Sequence, residues 1–247
     1  FSYAKAQREP NRTDYENGNP KPEKLNDFEL GWRMKKEKTQ VQANLYWMEY
    51  QDQLVLTGAI DEVGAPIRQN VGESRRIGLE VDATIQLADQ WLWKPNLALS
   101  SNQNLDFYFK RDGILQSLGK TQLAYSPNIV AGNALIFAPS TRFQVGLLSK
   151  YVGKQYMGNI DSKNSTLAAY FVSDINAVFT WQPNRWVKEI QWSTTINNIF
   201  NFKYESNGFF YTYDDDFSSP GEITTIEGAG FYPQAGINLL TGLRLTF

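Results

Sequence analysis

The sequence contains no cysteine and no histidine among its 247 residues. Without thiols there is no disulfide framework, no thiolate zinc site and no cysteine nucleophile. Without imidazole the commonest general base, proton shuttle and metal ligand are missing. A Ser/Lys or paired-carboxylate enzyme remains open on composition alone. Charge of one sign is also lacking: 24 Lys and Arg stand against 26 Asp and Glu, for a net charge of −2. A nucleic-acid binder carries a basic excess, so that class is set aside. Long apolar runs are absent too. Although 42 % of the residues are hydrophobic, no stretch approaches the ~18 uninterrupted apolar residues of a membrane-crossing helix. The first residue is Phe1 rather than Met, and no signal peptide precedes the first alternating segment. The chain is therefore read as processed or as part of something longer.

What the sequence does have is period two. Ile77, Leu79, Val81, Ala83, Ile85 and Leu87 alternate with Arg76, Gly78, Glu80, Asp82, Thr84 and Gln86. Ala235, Ile237, Leu239, Thr241, Leu243, Leu245 and Phe247 share one parity at the other end of the chain. Successive side chains of a strand point to opposite faces, so each run has one apolar and one polar or small face. A helix would scatter the same residues around its cylinder. The pattern predicts about ten strands, over 1–8, 23–36, 38–57, 74–88, 93–109, 126–138, 141–156, 170–182, 188–200 and 233–247. It requires no helix of useful length. The run 127–138 is less regular, because Val130 and Ile136 fall on its polar parity.

Connections between these segments alternate in length. Short ones fall near 36–38, 88–93, 138–141 and 182–188; long ones near 9–22, 57–74, 107–125, 157–169 and 201–232. All long loops then lie on one rim, as in outer-membrane barrels. The last of them shows no apolar period and reads as a long loop of functional type. Alternation alone fits a soluble sandwich or a lipocalin-like barrel equally well. Three features favour a membrane barrel. Many segments exceed the ~5–6 residues usual for globular strands. Aromatic residues gather at strand ends, as Trp47 and Tyr50, Trp91 and Trp93, or Trp181 and Trp186, where interfacial belts place them. Charges such as Glu29, Arg33, Glu80, Asp82 and Arg244 sit mid-strand on the polar parity, which a wet interior tolerates and hydrocarbon does not.

Three stretches resemble TonB-dependent outer-membrane receptors. Ser74-Arg75-Arg76-Ile77-Gly78-Leu79-Glu80-Val81-Asp82 is similar to their RR-x-G-x-E strand, Asn197-Asn198-Ile199-Phe200-Asn201-Phe202-Lys203-Tyr204 to their N-N-L-F segment, and Tyr232-Pro233-Gln234-Ala235-Gly236 through Leu243-Arg244-Leu245-Thr246-Phe247 to their C-terminal close. Asn238 stands near a position where the family often has Arg. The resemblance implies an all-β, antiparallel, up-and-down transmembrane β-barrel with short periplasmic turns and long extracellular loops. Residues 1–247 would be one segment, about ten strands of a barrel of ~22, with the N-terminal plug absent. It implies energised uptake of a scarce nutrient, most simply a ferric siderophore or related iron complex, in the outer membrane of a Gram-negative bacterium. Glycan import and a soluble β-sandwich ligand-binding domain are the alternatives. An outer-membrane barrel hydrolase would need His or a tight carboxylate cluster. Implied partners are TonB, through the missing N-terminal region, the ligand, outer-membrane lipid and, through Phe247, the barrel-assembly machinery. No nucleic acid, metal ligand set, catalytic residue or cofactor is expected.

Two aromatic clusters are the candidate ligand sites: Tyr204, Phe209, Phe210, Tyr211 and Tyr213 in the last long loop, and Tyr108 with Arg111, beside Phe107 and Phe109, in an earlier one. Ring faces there can stack on a siderophore or a sugar. Arg75, Arg76, Glu80, Asp82 and Arg244 are expected to line the lumen and meet the plug; for the first four, ladder ion pairs on the wall are the alternative. Asp214, Asp215 and Asp216 have no calcium-loop spacing and read as a solvated turn.

Overall fold

A computed structural model describes all residues except 62–63 and 184–185. Parts of the connections expected over 57–74 and 182–188 therefore lie outside the described residues. The strands are β1 (Ser2–Arg8), β2 (Glu23–Lys36), β3 (Thr39–Ile60), β4 (Pro66–Ala88), β5 (Trp91–Arg111), β6 (Ile114–Gln122), β7 (Ile129–Ser140), β8 (Phe143–Val152), β9 (Gln155–Tyr156), β10 (Thr166–Leu167), β11 (Tyr170–Trp181), β12 (Glu189–Asn197), β13 (Glu205–Asp215), β14 (Thr224–Pro233) and β15 (Asn238–Thr246). Ten of them form one continuous antiparallel wall in the order β1-β2-β3-β4-β5-β7-β8-β11-β12-β15. This is an up-and-down meander, and its ten members are the ten segments that alternation predicts. Among the described residues β1 and β15 have no partner on their outer edges, so the sheet is not closed into a barrel.

Alternation works because the two faces of the wall differ. In β2 and β3 the register sets Phe28 against Trp47, Leu30 against Leu45 and Trp32 against Ala43. These side chains stand on one face and remain open: Leu45 is 50 % exposed, Trp47 48 % and Leu243 65 %. Among the described residues no second layer covers them. On the other face Tyr46 lies across Gly78, where a β-carbon would also come within 2.8 Å of the Leu99 carbonyl oxygen. That close approach accounts for the glycine between Arg76 and Glu80, which share its face.

The two rims are unlike. At one, β2 and β3, β4 and β5, and β7 and β8 join through two residues each. At the other, three of the five expected long loops, 57–74, 107–125 and 201–232, are largely paired strand, while 9–22 and 157–169 are not. β3 runs three residues past its expected end, to Ile60, β4 starts eight residues before its expected start, at Pro66, and β5 folds back on β6. Residues 201–232, expected as a loop without period, instead form the β13–β14 hairpin. A five-residue helix, α1 (Arg12–Glu16), is capped by Asn11, whose side chain accepts from the Asp14 N–H while Asp14 accepts from the Asn11 N–H. Arg68 of β4 pairs with buried Asp14 at 2.9 Å, holding α1 against the rim.

The buried core belongs to this rim. Val55, Phe107, Phe109 and Leu123 pack together, with Val71, Leu118 and Ile160 against them. The strict alternation of the wall fails here. A register shift between Asn104 and Phe107 re-aims the top of β5, and Gln53, Leu54 and Val55 are buried in succession.

Candidate functional site

The site is built on the β13–β14 hairpin. Its base is fixed by the turn that follows β12. Asn198 adopts φ 50°, a left-handed conformation that Asn tolerates. Its backbone N–H donates to Asp174 at 2.7 Å; its side chain accepts from the Phe202 N–H at 2.9 Å and donates to the Phe202 and Ala235 carbonyls. Asn201 accepts from the Ile237 N–H, and Asn197 donates to Asn238 at 2.8 Å. The asparagine-rich motif is therefore a clasp between β11, β12 and the approach to β15. Asn238 completes it with an amide.

From this base the hairpin reaches β3, six positions from β12 in the wall order, where Thr212 makes a parallel bridge with Ala59. Its two faces have separate tasks. Gly208, Phe210 and Thr212 form the seated face. A β-carbon at Gly208 would lie 2.6 Å from Met157 Sδ, and one at Gly158 would lie 2.6 Å from the Phe210 ring. The Tyr125 hydroxyl donates to the Gly208 carbonyl at 3.0 Å. Glu227, on β14 opposite Thr212, is the polar hub of this face. It accepts from Arg111 at 2.7 Å, from Asn164 at 3.0 Å and from Ser162. Burial pushes its carboxyl up, but the hydrogen bonds from Ser162, Arg111 and Asn164 and the guanidinium charge outweigh burial and hold it below the ordinary value. Next to it Asp112 and Thr225 exchange two hydrogen bonds of 2.7 Å.

The opposite face carries Phe209, Tyr211 and Tyr213, which face Gly230, Gly228 and Ile226 across the ladder. Each of the first two rings lies over its glycine, in the space a β-carbon would need. The rings therefore lie down on the sheet. Phe209 and Tyr211 are 6.2 Å apart at 18°, and Tyr211 and Tyr213 6.4 Å apart at 17°. Tyr232 extends the row, 6.0 Å from Phe209. The result is a tiled π surface, and Phe209, Tyr213 and Tyr232 are exposed on it. The same parity ends in Asp215. Hydrogen bonds from the Ser218 side chain and backbone and the Phe217 N–H outweigh its desolvation and hold its carboxyl below the usual range.

The aromatic residues expected to act together are thus divided. Phe209, Tyr211 and Tyr213 share the open face, whereas Phe210 is seated. Tyr204 stacks on buried Tyr170 at 4.5 Å. Arg111 is engaged by Glu227 and lies over Phe109 at 5.5 Å; Phe107 and Phe109 are core. Tyr108 is exposed, and with Tyr213, Lys110 and Asp214 it lines a cleft of about 380 Å³. Asp214 accepts from Thr225 and pairs with Lys110 at 3.7 Å, and among the described residues no acidic cluster could hold a metal ion.

Arg75 and Arg76 do not share a face, so Arg75 does not group with the lumen residues; it stands instead in a ladder ion pair, the alternative expected for it. Arg75 lies over Trp47 at 5.4 Å and pairs with Glu49 at 2.8 Å, on the apolar side. Arg76 lies over Tyr50 at 5.1 Å, on the parity of Glu80 and Asp82. Arg244 stands opposite Gln191 on β15. Glu227, Met157 and Tyr232 escape the sequence analysis as site residues. For Tyr232 the available signal was the pair of glycines at 228 and 230, each facing an aromatic residue; Glu227 and Met157 had none.

Comparison with curated proteins finds no match. Among solved structures the chain superposes on the copper transporter OprC with a TM-score of 0.68 and 21 % identity, covering 98 % of this chain and 36 % of that one. For the ferric-catecholate import receptor Fiu of E. coli K12 in its closed form the values are 0.60, 16 %, 98 % and 32 %. For the ferric yersiniabactin uptake receptor FyuA of Yersinia pestis they are 0.58, 19 %, 92 % and 31 %. The chain spans about a third of the length of these relatives in fold. Over residues 1–201 it matches the family described as TonB dependent receptor-like, beta-barrel. The meander wall, its uncovered apolar face and this match lead to one assignment: the chain belongs to the TonB-dependent receptor β-barrel family.

Proposed function

We propose that this chain supplies part of the wall and outer loops of an outer-membrane receptor that takes up a ferric siderophore or related iron complex with energy delivered through TonB. Members of the family are transport receptors rather than enzymes. The observation that carries the outer-membrane placement is the uncovered face. Leu45, Trp47 and Leu243 are about half exposed or more with no protein layer against them, while Arg76, Glu80 and Asp82 occupy the other face. A single sheet of this kind buries its apolar side only against lipid, and closure with further strands satisfies its edges. In this arrangement lipid meets the apolar face, the polar face lines the lumen and meets a plug, and Phe247 offers its terminal aromatic to the assembly machinery.

The substrate reading rests on chemistry. With no His or Cys and only three Met, one of them, Met157, seated against Gly208, this chain offers few ligands for a bare transition-metal ion. A metal already enclosed in a chelate needs no ligands from the protein, and ring faces on an outer loop suit such a complex. Uptake receptors for iron chelates stand among the structures similar in fold. The test is deletion of the gene followed by growth under iron limitation, scored on a panel of siderophores and glycans. Loss of growth on one or more iron chelates is the expected result. Loss on a glycan alone, with iron uptake intact, overturns the substrate reading.

A further inference from the structure

We infer that the tiled face of the β13–β14 hairpin selects among metal chelates by charge, docking an uncharged or cationic chelate and turning away a polyanionic one. This rests on the receptor reading above and adds the property its ligand must have.

Rings that lie flat over glycine turn their π faces outward. The π face is the negative side of the aromatic quadrupole, so it attracts C–H edges and cations and offers nothing to an anion. The surrounding charge has the same sense. Residues 204–233 contain six acidic side chains and no Lys or Arg. On the tiled face itself the one charged residue among those described is Asp215, whose carboxylate accepts from the Phe217 and Ser218 N–H groups. Two of the cations near the hairpin are committed elsewhere: Arg111 holds Glu227 at 2.7 Å on the seated face, and Lys110 holds Asp214 at 3.7 Å. A chelate approaching the rings meets aromatic faces bordered by negative charge.

Iron(III) chelates divide sharply on this criterion. Three hydroxamate groups each carry one negative charge and neutralise the ion, giving an uncharged complex with C–H-rich flanks. Three catecholates each carry two and leave a trianion. The first fits the tiled face; the second is repelled by Asp215 and gains nothing from the rings.

The experiment uses the full receptor in detergent, titrated by intrinsic fluorescence with a ferric trihydroxamate and a ferric tris-catecholate. The unmodified receptor is expected to prefer the trihydroxamate by about tenfold or more. Tyr211→Ala should weaken trihydroxamate binding about tenfold. Asp215→Lys should narrow the preference at least several-fold, because it replaces the anion beside the rings with a cation without removing a ring. Heat-modifiable mobility of each variant verifies that the barrel has formed. Equal or tighter binding of the trianion by the unmodified receptor, or a preference that Asp215→Lys leaves in place, overturns the inference while iron uptake still supports the receptor reading. Failure of both chelates to bind, with no iron uptake by cells, overturns both.

Discussion

The belt of the wall and its outer rim come from the same chain and solve opposite problems. In the belt, apolar side chains lie open on one face of a single sheet. The belt holds by ladder hydrogen bonds and by whatever solvent meets that face. In the rim, consecutive residues such as Gln53, Leu54 and Val55 are buried. Apolar rings make a core of ordinary globular type, and a carboxylate with three donors ties distant segments together. In the proposed receptor the belt borrows its second layer from the membrane; the rim, standing in water, builds its own. The two regions should therefore fail under different perturbations.

The largest expected effect lies in the belt. Leu45→Arg places a cation on the lipid-facing side at a cost of ~2–4 kcal/mol near the bilayer midplane. Gln42→Arg, three residues away on the opposite face and paired in register with Asp82, should be mild. Heat-modifiable mobility and outer-membrane abundance measure both, and equal damage would reverse the assignment of faces. Next comes the rim. Gly208→Val drives a side chain into Met157 and the Gly230 carbonyl, and overpacking of this kind costs ~1–3 kcal/mol. Limited proteolysis should cut the hairpin while the wall keeps its β-sheet circular dichroism; loss of both together would deny the rim its independence.

A smaller effect is expected at the hub. Glu227→Gln keeps the shape and removes the charge that Arg111 answers. Arg111 is partly exposed, so solvent screening holds the loss to about 1 kcal/mol or less, read as faster hydrogen exchange around Thr225. A double-mutant cycle with Arg111→Ala should return a coupling energy of that size. The smallest effect is its dependence on pH. The folded Glu227 carboxyl lies below its ordinary 4.5, so the unfolded hairpin takes up a proton first as the pH falls. The hub's contribution is whole above about 4.5 and fades as the pH drops through the lower folded value. Asp161 works the other way. Burial, against the Gln122 N–H and the Lys154 charge, raises its carboxyl, so its cost is relieved in acid. In an Asp161→Asn background, hairpin proteolysis should rise below pH 4.5 while the belt stays unchanged. A hairpin indifferent to acid would remove Glu227 from its role.

The belt was legible in the sequence because each of its side chains meets one of two solvents, and a period of two records the choice. All ten wall strands follow from that record. The rim was illegible for the converse reason. Where both faces of a strand are covered, as at Gln53–Val55, alternation carries no information, and the register shift before Phe107 re-aims the side chains that follow. In β13 the open face alternates rings with residues of every other kind, so residues 201–232 read as patternless. The aromatic cluster was visible, but its division was not: Phe209 and Phe210 are neighbours in sequence and face opposite ways only because the segment is a strand. Glu227 could not have been found, since its partners Ser162 and Arg111 lie 65 and 116 residues earlier.

The bridge from Thr212 to Ala59 has a consequence for the order of assembly. It joins parts of the chain separated by six intervening strands of the wall, and contacts between remote segments form late because the intervening chain must first be ordered. The hairpin can find Ala59, Met157 and Gly158 only after β3 to β12 have taken up their curvature. A protected hairpin is thus a record that the wall beneath it has already been completed, and its acquisition of protease resistance should be the last event seen when the receptor folds into a bilayer.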